Sequence, residues 1–276
     1  MQSTISPSDA EESRLAHSLK ESLVSRNENF DQTVKAEQLR LDLTFRFMRC
    51  PTNASRPDLA LKWFEKLSQL HCEPKRHYHT LMHLEEMFLY LDIIKEHFTT
   101  VGKPMTDFDE EAIVLAVFFH DAIYDVHSST NEEDSATLFQ EYVRDLSTNG
   151  TKLQTGLEHL VVQCIIATKK HAVCADNPPC LALFLDLDMA VLGKETLAYL
   201  SYASLIRKEY NYVEHDTYCE KRADILEDFL KQPQIYGTQA VIEAFEQRAR
   251  DNIRTEIEIL RKGRIPESSY IKTSYE

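Results

Sequence analysis

The stretch Arg76-His77-Tyr78-His79-Thr80-Leu81-Met82-His83, continued by Leu84, Met87, Phe88, Leu91, Ile94 and Phe98, decides the fold. Its apolar residues recur at spacings of three and four, the period of an amphipathic helix with one buried stripe. A helix over 78–98 is predicted. His79 and His83 are four apart, so on that helix both side chains project from one face and address one point.

Working outward, the run Ala112-Ile113-Val114-Leu115-Ala116-Val117-Phe118-Phe119 is apolar on every side. A helix of that character is buried all round, and it carries His120 and Asp121 into the interior. After Pro178-Pro179, residues Leu181, Phe184, Leu185, Asp188 and Leu192 share one helical face. Asp188 is therefore the expected inward carboxylate, and Asp186 the flanking alternative. The stripe Leu157, Leu160, Val161, Cys164, Thr168 continues onto His171, which is expected to point at the core.

The remaining segments read as scaffold. Asp58 can cap a helix over 59–70, and Thr130 to Glu133 fits a capping box opening a helix to 146. Two more helices are predicted over 195–213 and 217–230. A last one, from 238 to near Gly263, carries Ile242, Phe245, Ala249, Ile253, Ile257 and Leu260. Leu39, Leu41, Leu43, Phe45 and Phe47 alternate with other residues, a strand by period alone, whereas the flanking composition suits a helix. With 6 glycines, no internal repeat and no βαβ alternation, the reading is an all-α bundle of about eight to ten helices. It comprises a flexible N-terminal extension over 1–30, with a short helix near 12–23, one helical domain over 31–264 and a tail over 265–276.

Composition narrows the function. The 276 residues are 43% hydrophobic and carry a formal net charge of -14. That is enough apolar material for a sizeable core, and it repels a long polyanion, so no nucleic acid polymer is expected as partner. A small phosphorylated substrate fits, because a metal and one or two cations reverse the field locally. Six cysteines fall into no CxxC pair and read as reduced thiols packed as small hydrophobes. The Ser-, Glu- and Asn-rich beginning has no apolar signal core, and no run approaches a membrane span, so no membrane partner and a cytoplasmic location are expected. A homo-oligomer is left open.

The chemistry lies in the combination. A histidine pair, a buried His-Asp doublet and a second inward Asp all sit in apolar surroundings. Burying so many ionisable groups without a partner is prohibitive, and a divalent metal supplies the partner. Imidazoles with carboxylates suit manganese, iron, cobalt, nickel or magnesium to differing degrees, and such an ion can activate water.

The pattern resembles the HD-domain metal-dependent phosphohydrolases, and within them a subgroup of predicted phosphohydrolases of unassigned substrate. It reads as Arg76-His77-Tyr78-His79 with His83, Phe119-His120-Asp121 with Tyr124, Asn131-Glu132 with Ser135-Ala136, and Thr168 with His171. It goes on through Asp188 with Leu192-Gly193, Tyr202 with Arg207, Glu209 and Tyr210, Ile235-Tyr236, and Ala249-Arg250. The Tyr78-His79 block with His83 is also similar to the opening histidine motif of cyclic-nucleotide phosphodiesterases. The resemblance implies an HD-type helical fold, with His83, His120, Asp121 and Asp188 as metal ligands and His79 as general acid. The chain departs from dinuclear HD enzymes in lacking their extra histidines between the doublet and the last Asp, where only His171 lies on a core stripe.

Other candidates each have a plainer reading beside them. Asp121 or Asp188 can orient or deprotonate the attacking water. Glu132 is a candidate outer-sphere base, or a helix-dipole residue in a capping segment. Arg76 and Arg207 are candidates for a bidentate phosphate contact. His171 is a phosphate contact, a second-metal ligand or a hydrogen-bonded core histidine. Tyr202, with Tyr199 and Tyr210, lines a pocket for a base or sugar or simply packs in the core. Lys169 and Lys170 are substrate cations or solvated helix-end charges. The expected activity is metal-dependent hydrolysis of a phosphoester or pyrophosphate bond in a small molecule, a nucleotide above all, by metal-activated water. The alternatives are a nucleotide-sensing module without turnover and a di-iron oxygenase on the same fold.

Overall fold

The computed structural model describes residues 32–172 and 177–267, and these are all-helical, with no strand among the described residues. The expected extension over 1–30, the tail beyond 267 and Cys174 lie outside them. No described helix is long and apolar enough to cross a membrane. The chain divides into two compact units, with the boundary between Leu187 and Asp188.

The first unit is built from α1 (Gln32–Arg49), α2 (Pro51–Ala54), α3 (Pro57–His71), α4 (Leu81–Thr100), α5 (Asp107–Phe119), α6 (Asn131–Thr148), α7 (Leu157–Ala167) and most of α8 (Pro179–Met189). Its centre is α5, on which every residue from Glu111 to Phe119 is buried. The side chain of Thr106 accepts from the Asp109 amide, and Asp107, Asp109 and Glu110 follow, so acids and a cap satisfy the helix N-terminus. Helices α1, α4, α6 and α7 all pack against α5, as a helix apolar on all sides requires.

The segment 39–47 is helical, part of α1. Leu43 and Phe47, four apart, are buried, while Leu41 and Phe45 stand 52% and 64% exposed. A strand would turn all of these alternate residues to one face, whereas only the pair four apart, the helical spacing, reaches the core. Phe47 meets Phe118 edge-on with ring centroids 4.9 Å apart, and Phe119 packs against Phe139 and Tyr142 at 5.2 Å from each. Aromatic pairs at these separations add to the gain from burial.

Several helix starts differ from expectation for local reasons. Pro57, whose ring presets a helical φ, opens α3, and Arg56 takes the cap position. Asp58 sits in the first turn and accepts from the Arg56 guanidinium at 3.0 and 2.8 Å. The fourth helix begins at Leu81 rather than 78, because Thr80 turns extended and its hydroxyl accepts from the Met82 amide. The box expected at Thr130 does not form: that hydroxyl donates to Asp134, and Glu133 pairs with Lys169 instead. Helix α7 ends at Ala167, and His171 adopts a left-handed φ of 44°. His171 thus leaves the apolar stripe and is only half-buried.

The second unit contains the end of α8, a 3-10 turn (Ala190–Gly193), α9 (Thr196–Glu209), α10 (His215–Lys231) and α11 (Gln239–Arg261). The long α11 packs along the 3-10 turn, α9 and α10. Its buried face holds Val241, Phe245, Ala249, Ile253 and Leu260, and also two polar residues, Asn252 and Glu256. Asn252 donates to the carbonyls of Leu192 and Lys194, both at 2.8 Å, which fastens the 3-10 turn to the helix. Gly193 lies so close to Phe245 that an added Cβ would fall 2.4 Å from that residue's own Cβ. Opening α10, the Glu214 carboxylate accepts from the amides of Asp216 and Thr217.

Candidate metal centre

Three helices deliver the central residues. His83 lies in the first turn of α4 and is buried, because the stripe of Leu84, Met87 and Leu91 fixes which face turns inward. His120 is the first residue past α5, and Asp188 stands in the last turn of α8. One donor atom from each of His83, His120 and Asp188 lies within 4.8 Å of the other two. Three donors no more than 4.8 Å apart lie within about 2.8 Å of a common centre, so a contraction of about half an ångström admits one ion at about 2.2 Å.

The imidazole of His120 carries the decisive geometry. Its Nδ1 is 3.0 Å from the Val117 carbonyl oxygen, and a carbonyl only accepts, so Nδ1 bears the hydrogen. In the neutral ring Nε2 is then a bare lone pair. That lone pair faces Oδ2 of Asp121 at 3.1 Å. Two electron-rich atoms hold that distance when a cation, either a proton or a metal, sits between or beside them. A ring held at Nδ1 by a carbonyl with Nε2 presented is also how metal-ligating histidines are oriented. His83 points Nε2 at the same carboxylate oxygen from 4.0 Å, and the two imidazoles lie 5.4 Å apart between centroids. The donor set therefore fits a divalent ion.

His79 does not share a helix with His83, since it precedes Thr80, yet the two rings lie 6.0 Å apart. Its Nε2 is 4.0 Å from Asp121 Oδ2. The ring is held between Tyr124, at 4.4 Å, and Tyr78, at 5.0 Å. It is half-buried.

The turn carrying His120 and Asp121 is fixed from outside. Arg76, itself buried, donates to the carbonyls of His79 (3.1 Å), Asp121 (2.7 Å) and Ala122 (2.9 Å). Its guanidinium thereby ties the loop before α4 to the turn after α5, and it rests over the Tyr124 ring at 5.3 Å. Both of its Nη groups are thus engaged by main chain. From α6, the Ser135 hydroxyl accepts from the Ile123 amide, and Asn131 both accepts from the Asp125 amide and donates to its carbonyl.

One buried partner of this arrangement escaped the sequence reading. His71 is fully buried at the end of α3, with Nδ1 3.5 Å from Arg76 Nη1. Burial first, and the Arg76 charge second, pull its pKa down to about 3, so it is neutral. Its signal was present, because Ala60, Phe64, Leu67 and His71 continue one helical stripe.

The other candidates fall elsewhere. Glu132 is 3.7 Å from Lys169 Nζ, which also binds Glu133 and the Ser129 carbonyl, so these charges pair with each other. Arg207, like Arg76, is closed on main chain, donating to the carbonyls of Tyr210 (2.7 Å) and Val213 (3.0 Å). Tyr199 is buried and its hydroxyl donates to Glu256. Tyr202 is half-buried, its phenol held protonated by burial and, more weakly, by Glu256 and Asp188, against the pull of Arg222. Asp186 is 1% exposed, whereas Asp188 is half-buried and is the one that meets the histidines. The contrast between the two differs from the expected inward and flanking roles, yet the residue reaching the cluster is the expected one.

Neither family models, curated proteins nor solved structures give a match to this chain.

Proposed function

We propose that this chain is a metal-dependent hydrolase of HD type that cleaves a phosphoester or pyrophosphate bond in a small molecule, a nucleotide above all. The observation that carries the reading is the convergence of His83, His120 and Asp188 beside Asp121, with the His120 lone pair aimed at a carboxylate oxygen. His83, His120, Asp121 and Asp188 would hold the ion. When bound, it supplies a lowered pKa for water and neutralisation of charge on phosphoryl oxygens.

The chain's own residues do the rest. Asp121 accepts a hydrogen bond from the attacking water and so aims it. His79, propped between two tyrosine rings and reaching toward Asp121, delivers a proton from Nε2 to the leaving oxygen. Arg76 positions both groups at once through the carbonyls on either side. The buried His71 keeps a second positive charge away from that guanidinium.

A screen of nucleotides and phosphorylated metabolites against manganese-reconstituted protein tests the proposal, with Asp121→Ala run in parallel. Turnover in the wild type and its loss in the variant is the expected result. No turnover of any phosphorylated compound by metal-loaded protein would count against it, and two irons per chain with oxygen-dependent activity would favour the oxygenase.

A further inference from the structure

A buried polar atom without a hydrogen-bond partner is the exception in folded proteins, and α10 holds two. The hydroxyl of Tyr218 and Nη2 of Arg222 are both buried and unpartnered. Tyr218 is only 5% exposed. The two residues are four apart on one helix, so they share a face. Arg222, Glu256 and Tyr202 set the electrostatic field at the Tyr218 hydroxyl, after burial itself.

Neighbouring groups do not absorb these donors. Glu256 already receives Arg222 Nε on one oxygen, at 3.0 Å, and the Tyr199 hydroxyl on the other. Arg207 lies over the Tyr218 ring at 4.5 Å and donates to main-chain carbonyls. The Arg222 guanidinium also hydrogen-bonds the Tyr202 phenol, with Nη2 left over, and Tyr202 in turn feels the carboxylate of Asp188. The unfilled donors thus belong to a network that reaches a residue of the candidate metal centre.

Both unmet atoms are donors, so what they take is an oxygen acceptor, and a guanidinium with a hydroxyl matches a phosphoryl group. We infer that Arg222 Nη2 and the Tyr218 hydroxyl form an oxyanion subsite next to Tyr202 that binds the phosphoryl oxygens of the substrate. The assignment rests on the hydrolase reading for the identity of its ligand. With Arg76 and Arg207 closed on carbonyls, it puts the grip on phosphate on a residue outside the HD-like pattern. A purely structural Arg222–Glu256 pair needs the Nε contact alone and makes no use of the Tyr218 hydroxyl.

Calorimetric titration of the full chain with inorganic phosphate in EDTA tests the subsite without turnover. Wild type binds phosphate, and Tyr218→Phe weakens binding roughly tenfold, with an unchanged or raised Tm because an unsatisfied hydroxyl has been removed. Arg222→Lys keeps a charge against Glu256, loses the fork and weakens binding by roughly tenfold or more. No phosphate binding by wild type, or equal binding by Tyr218→Phe, overturns the inference. So does a lowered Tm in Tyr218→Phe, which would mean that a buried water satisfies the hydroxyl. Turnover without phosphate binding removes the subsite and leaves the hydrolase; phosphate binding that Tyr218→Phe abolishes, in a protein that hydrolyses nothing, does the reverse.

Discussion

At the scale of single residues, four side chains are proposed to hold the ion and a fifth to transfer the proton. His83→Ala, His120→Ala, Asp121→Ala and Asp188→Ala are each expected to lose bound metal on dialysis, read by elemental analysis. Asp186→Ala is expected to retain it, since Asp188 is the carboxylate that meets the two imidazoles. His79→Ala keeps the metal and loses roughly 10²–10⁴ in kcat, the usual scale for a lost proton donor. Full metal content in the first four variants would show that the ligand set is wrong.

His71 adds a pH signature. Its folded pKa, about 3, is below the ordinary 6.5, so the unfolded chain takes up a proton that the native state refuses. The stabilising contribution is complete above pH 6.5 and is lost progressively as pH falls toward 3. The slope is up to about 1.4 kcal/mol per pH unit. Urea titrations across that window should show the slope in wild type and a shallower one in His71→Asn.

At the scale of helices, what could be read from sequence was whatever a local period expresses. The stripe Leu84, Met87, Leu91 and the unbroken apolar run before His120 gave α4, α5 and the inward direction of both imidazoles. What could not be read depends on partners far along the chain. Arg76 and Arg207 look like phosphate clamps until the carbonyls they close on are in view. Glu256 and Asn252 interrupt an apolar stripe, so their burial on α11 is invisible to periodicity. The stripe that points toward His171 stops with its helix at Ala167, an end that the apolar period does not mark. One packing contact belongs to this scale: Gly193 admits no Cβ against Phe245. Gly193→Ala is expected to cost about 1–3 kcal/mol in chemical denaturation, the range for overpacking.

For the molecule as a whole, a ligand that binds only the native chain raises its stability by mass action. Manganese at about a hundred times its Kd adds about 2.7 kcal/mol. For a chain of this size that corresponds to a rise in Tm of roughly 5 °C or more. Scanning calorimetry with manganese and with EDTA measures it, and coincident transitions would speak against a site that forms only in the folded state. The charge of -14 bears on the same experiment. A cation that reduces this excess at a buried point is distinguishable from general screening, because sodium at equal ionic strength should not reproduce the shift.

Arg76 draws the loop before α4 and the turn after α5 together with a single guanidinium. Neither stretch can therefore fray alone. Opening one breaks bonds to both, so their amides should exchange with solvent deuterium as one cooperative group. An imidazole and an acidic neighbour that loosen in unison keep their mutual spacing until the moment both are lost.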